Sequence, residues 1–176
     1  MADFSGRASI GRAGRVAVAM VFAGLLLAGC GGGATVTEMA VGPTSTPPPA
    51  DVDPATASFA FEPFTGAPSN ATDELLRRIS TVADREGLNL VRRVGAPATF
   101  HVKGYLTAVG NPTATTVTYI YDIYDASGRR LHRIVGQEPS SGTSGDPWSG
   151  ISAETLEVVA DRTVAALKAW LASGGA

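Results

Sequence analysis

The chain has 176 residues, 44% hydrophobic and 17% charged, with 21 Gly, 11 Pro, two His and a single Cys. That length predicts one domain, and a formal charge of −2 supplies no positive field for a nucleic acid. One Cys excludes an internal disulfide and a cysteine-cluster zinc site; two His without H-x-x-x-H spacing add no metal ligand set, so neither metal nor other cofactor is expected.

The chain opens on a basic stretch, with Arg7, Arg12 and Arg15 against Asp3 alone. An apolar run of 13 residues follows, Val16 to Ala28. A positive segment before a short apolar one is the layout of a secretory signal. Thirteen helical residues span roughly 20 Å, short of the ~30 Å hydrocarbon core. A retained membrane anchor is the competing reading, since no charge appears before Glu38, but Gly29 and Gly31 to Gly33 weaken any continued helix.

The apolar run ends Leu27-Ala28-Gly29-Cys30, which resembles the lipobox of bacterial lipoproteins. The resemblance implies cleavage between Gly29 and Cys30, diacylglycerol on the Cys30 sulfur, and acylation of the new amino terminus with a palmitate-like chain. The thiolate is the nucleophile such chemistry needs, and two or three chains anchor stably where one does not. Residues 1–29 are therefore read as signal peptide. Gly31, where a retention signal would carry Asp, points to the periplasmic face of an outer membrane; in a single-membrane organism the outer face of that membrane replaces it.

Residues 30–56 read as a lipidated Cys and a tether. Pro43, Pro47, Pro48, Pro49 and Pro54 cluster there and favour extended polyproline II. The mature chain is acidic: 14 basic residues less three in the leader leaves 11, and 16 acidic less Asp3 leaves 15.

A single domain is predicted over 57–173. Ser58 to Phe64 reads as a strand that Pro63 ends. Ser69 or Asn70 is placed to cap a helix with Asp73 and Glu74 in its first turn, and Leu75, Leu76, Ile79, Val82 and Ala83 form its apolar face. Gly87 suits a left-handed cap. Leu88 to Val94 reads as a short strand. Thr99 to Val109 reads as a longer one, with Phe100, Val102, Gly104, Leu106 and Ala108 on one face and His101, Lys103, Tyr105 and Thr107 on the other. Gly110-Asn111-Pro112 is a turn; Thr115 to Tyr124 is a β-branched and aromatic strand; Asp125 to Gly128 is a second turn, and Arg129 to Gly136 returns as its partner. Residues 137–150 read as a polar loop. Ser152 caps a last helix, with Ile151 and Leu156 as a hydrophobic staple and Val159, Ala160, Thr163, Val164, Leu167 and Trp170 along its apolar stripe.

Strand, helix, strands, helix, with one apolar stripe per helix, predicts an α+β two-layer sandwich: a mostly antiparallel sheet of four or five strands with two helices on one face. The order, with Phe61-Glu62-Pro63-Phe64, Phe100 to Leu106 and Asp125 to Leu131 at its strand ends, resembles the periplasmic α/β domain of the penicillin-binding-protein activator and curli-secretion lipoproteins, and the amino-terminal domain of the Tol-system propeller protein. The resemblance concerns architecture and transfers no binding residue.

No nucleophile elbow, phosphate loop or dinucleotide fingerprint occurs. Asp125 reads as turn chemistry, and Asp122 as a partner for Arg130 or Arg133. The leading expectation is a membrane-anchored, non-enzymatic envelope lipoprotein whose domain binds a protein partner. Tyr105, Tyr119, Tyr121 and Trp148 are the candidate contact residues, Tyr being enriched at interface hot spots. Two alternatives stand beside it: an envelope enzyme acting on wall polymer or a small ester through His101 or His132 with Asp122, and a purely structural lipoprotein.

Overall fold

A computed structural model of the chain describes residues 45–175 apart from 94, 112, 143 and 144. The segment read as signal peptide, with Gly29, Cys30 and the first half of the expected tether, lies outside the described residues. The elements are β1 (Ser58–Phe61), α1 (Ser69–Glu86), β2 (Asn89–Val91), β3 (Phe100–Gly110), β4 (Thr115–Tyr124), β5 (Arg130–Ser140) and α2 (Ala153–Ala172). They form one five-stranded sheet in the order β2-β1-β3-β4-β5, with both helices on one side, an α+β two-layer sandwich. No helix among the described residues is long and apolar enough to cross a membrane.

The sheet is mixed. β1 runs parallel to both β2 and β3; between β1 and β2, α1 carries the chain over one face and returns it in the same direction. β3, β4 and β5 form the predicted antiparallel meander. Asn111 closes the first hairpin, its Oδ1 accepting from the backbone N–H groups of Thr113 and Ala114 at 2.9 Å. Asp125 closes the second: its Oδ1 accepts from the N–H of Ser127 at 2.9 Å and of Arg129 at 3.0 Å. These bonds, with the hydroxyl of Ser127 first among them, hold its carboxyl down at about 2. Gly128 supplies the positive φ of 81° there.

Several sequence-based boundaries move. β1 stops at Phe61, short of Pro63. α1 begins at Ser69 behind Pro68, without a side-chain cap or an acidic residue in its first turn; Glu74 pairs instead with Arg77 and Arg78. β5 runs to Ser140, four residues past Gly136, because β4 pairs along its whole length and Thr115 lies opposite Ser140. Glu138, inside what reads as polar loop, is buried in this extension and meets Arg162 Nη1 at 2.5 Å. The Ser152 cap forms as expected, accepting from the Thr155 N–H at 3.1 Å.

The core lies between the sheet and the helices. Leu75, Ile79, Val82 and Ala83 of α1 and Val159, Val164, Leu167 and Trp170 of α2 meet Phe59, Phe100, Val102, Leu106, Val117 and Ile123 of the sheet. Each buried Val, Leu, Ile or Phe among them stabilises by roughly 1.5–3 kcal/mol through removal from water. Two glycines shape this layer. Tyr121 lies opposite Gly104 and Tyr119 opposite Gly136, and a Cβ on Gly136 would come within 2.1 Å of the Tyr119 ring. The tyrosine rings cover backbone that no side chain occupies.

Part of the tether belongs to this body. The Thr46 N–H donates to the Leu131 carbonyl at 2.8 Å, the Trp170 indole donates to the Thr46 carbonyl at 2.9 Å, and Val52 packs on the core. Residues 45–56, read from the sequence as tether, therefore make contacts with the domain that follows. Polyproline carbonyls have no internal partners, so they remain free to meet donors such as this indole. His132 completes the contact: Ser45 Oγ lies 2.9 Å from its Nδ1, and its ring stacks on Trp170, 5.6 Å between centroids. Burial holds the His132 imidazole below its ordinary value. The neutral ring is thus the folded form, and the unfolded chain binds the extra proton. The stability this contributes is complete above the ordinary histidine range and is lost as the pH falls through the folded value. Urea unfolding should show falling stability from pH 7 to pH 5, and His132→Phe should flatten that profile. An unchanged slope in the variant would contradict the assignment.

Candidate functional site

The helices cover one side of the sheet and leave the other open. On that open side the register of β3, β4 and β5 sets side chains in rows. One row is Tyr105, Ile120 and Val135. Beside it stands Lys103, Asp122 and Arg133; on its other side stand Thr107, Thr118 and Gln137, then Val109, Thr116 and Pro139. The only large apolar side chains exposed among the described residues are Tyr105 at 42%, Val109 at 64% and Val135 at 58%. All three lie on this face. Surface apolar residues scattered singly need no explanation; three on one face of a sheet make that face the candidate contact surface.

The charged half is fixed internally. Asp122 is buried, and the Arg133 guanidinium grips it with Nε and Nη2, each at 2.6 Å. Arg130 Nη1 approaches the same carboxylate at 3.7 Å. The bond to Asp122 raises Arg133 above its ordinary value. Lys103 Nζ stands 5.0 Å from the centre of the Tyr124 ring and 3.8 Å from Glu62 Oε2. A depression of about 240 Å³ opens between Glu62, His101, Lys103, Tyr124 and the Asp125–Gly128 turn. The result is an exposed face on which the polar row Thr107, Thr118 and Gln137 separates the apolar side chains of Tyr105, Ile120 and Val135 from Val109, beside a row held by ion pairs.

Of the predicted contact residues only Tyr105 is placed on this face. Tyr119 and Tyr121, at 3% and 0% exposed, point into the core over the two glycines, so neither offers surface. Trp148 packs back on the core in a short 3-10 turn, Pro147–Gly150, and pins the chain ahead of α2. The proposed catalytic trio is not assembled. His101 is on the open side, with Nδ1 4.0 Å from Glu62 Oε1. His132 is on the helix side against Trp170. Asp122 has both oxygens gripped by Arg133. Ile120, Val109 and Val135 were missed as surface. The alternation of Arg133, Val135 and Gln137 carried the signal, once β5 is known to pair on one side only.

No known protein family and no curated protein matches the chain. Solved structures are similar in arrangement. PelC, a dodecamer from Paraburkholderia phytofirmans, shares 14% identity at a TM-score of 0.46, over 74% of this chain and 94% of that one. Protein XCC0632 from Xanthomonas campestris shares 14% at 0.46, over 74% and 91%. Lipoprotein GNA1162 from Neisseria meningitidis shares 14% at 0.38, over 63% and 96%. At such values these likenesses assign neither a family nor a function.

Proposed function

We propose that this chain is a lipid-anchored bacterial envelope protein, held by acyl groups on Cys30, whose non-enzymatic domain binds a protein partner through the open face of its sheet. The anchor rests on Leu27-Ala28-Gly29-Cys30 and its place on the periplasmic side of an outer membrane on Gly31. The binding reading rests on one observation: every large apolar side chain exposed among the described residues lies on the uncovered side of the β3–β4–β5 meander. The engagement of Asp122 by two arginines and the separation of the histidines favour binding over catalysis.

The test has two arms. Mass spectrometry of the membrane-extracted protein should find an amino terminus at Cys30 carrying diacylglycerol, and Cys30→Ala should leave the membrane fraction. An intact leader would end the anchor reading. In cells, a photo-crosslinking residue at Tyr105 or Val135 should give one discrete adduct, and at Asp161 on α2 none. Equal adducts from both faces, or none from either, would end the binding reading.

A further inference from the structure

A second surface stands at the far end of the sheet, away from the meander. β2 is an edge strand. Its inner side pairs with β1, and among the described residues no strand pairs with its outer side. Between β2 and α1 runs a groove of about 220 Å³ with a floor of Phe61, Leu76, Ile79 and Leu90 and walls that carry Arg77 and Arg92.

The charge there departs from that of the whole. The chain is net acidic, yet the groove is edged by Arg77 and Arg92, both more than 60% exposed, with Arg93 next in the chain. Arg77 pairs with Glu74, but Glu74 is shared with Arg78 at 2.6 Å. Arg92 pairs with Asp84, and Arg93 enters no ion pair among the described residues. Arg78 also reaches Glu157 Oε2 at 3.0 Å, so three carboxylates meet these four guanidinium groups and one positive charge, that of Arg93, is left over.

An unpaired strand edge beside an apolar groove admits an added strand: its backbone meets the edge, and alternate side chains enter the groove. Side chains two residues apart point to the same side of a strand. One apolar residue in the groove therefore sets its i−2 and i+2 neighbours toward the arginine walls. We propose that this groove docks an extended segment of a partner protein with the pattern acidic-x-apolar-x-acidic, laid along β2 as a sixth strand. This goes beyond the open-face reading and uses none of its residues.

The probe is a capped peptide, Glu-Thr-Leu-Thr-Glu flanked by Gly-Ser, titrated into the ¹⁵N-labelled full chain in detergent micelles at low salt. Amide shifts should centre on Asn89–Val91 and on α1 from Leu76 to Ser80. Binding should be roughly tenfold tighter than for Lys-Thr-Leu-Thr-Lys, and for Glu-Thr-Ser-Thr-Glu, which lacks the apolar anchor. The doubly reversed R77E/R92E should favour the lysine peptide, while Val135→Glu on the open face should leave the affinity for either peptide as it was. Equal binding of acidic and basic peptides, shifts centred on Tyr105 and Val135, or no shifts up to about 2 mM, a weak-binding ceiling, would each overturn the proposal. The three-peptide comparison needs no variant, so it decides the matter even if R77E/R92E does not fold.

Discussion

Replacing Trp170 with alanine should destabilise the domain by about 3–5 kcal/mol, the range for removing a large buried aromatic. The indole is 4% exposed. It stands 5.0 Å from Phe100 and 6.4 Å from Phe59, edge to face, and stacks on His132. It is also the donor that holds Thr46, so the loss spreads into residues 45–56, the strap that this bond ties to the core. Limited proteolysis of Trp170→Ala should cut within residues 45–56 while the remaining domain still resists. Trp170→Phe separates the two roles. It keeps most of the ring packing and loses only the bond to Thr46, with a cost nearer 1 kcal/mol and the same early cleavage. Equal stability of wild type and Trp170→Ala in urea would show that the strap and core are not joined through this residue.

The second large effect is predicted at a residue with no side chain. Gly136→Ala should cost about 1–3 kcal/mol, the usual penalty for overfilling a packed site, because the added carbon meets Cζ of Tyr119 at 2.1 Å and its hydroxyl at 2.2 Å. Tyr119 is itself 3% exposed, so its ring must shift within packed surroundings to admit the carbon. Shortening that ring in Tyr119→Leu should recover part of the loss in the double variant. Residues in contact couple by 0.5–3 kcal/mol, either sign, as a rough guide, and the cycle measured by chemical unfolding should show it. Strict additivity would mean that the clash is relieved elsewhere.

These two residues show what was legible in the sequence. The strands, both helices and the Trp170 stripe follow from periodicity, since burying one face leaves a repeat of two or 3.6 residues. The open face of β3 was likewise correct in His101, Lys103, Tyr105 and Thr107. Faces could be assigned where the two sides differ in polarity. They could not be assigned for Tyr119 and Tyr121, which alternate with Thr118 and Ile120 in a strand of uniformly β-prone residues. The glycine opposite each leaves room beside those rings, a fact of register between residues 17 apart in both pairs, and Phe61 and Phe64 cover Tyr121. The strap failed for a similar reason. A proline cluster announces extended backbone but not the indole and carbonyl, 124 and 85 residues away along the chain, that capture it. The histidines read alike in one dimension, each flanked by apolar or basic neighbours in a strand. A bulge between Ile123 and Tyr124 in the β4–β5 pairing lies beside the stretch that turns His132 toward the helices.

The outer margin of β5 has a consequence for life at high local density. An eleven-residue edge invites neighbouring molecules to zip into continuous sheets. Pro139 puts a position without an amide hydrogen near one end of that margin, and Thr46 occupies the Leu131 carbonyl near the other. Loss of the strap would uncover the second end, so variants that free it should polymerise on concentration before they unfold.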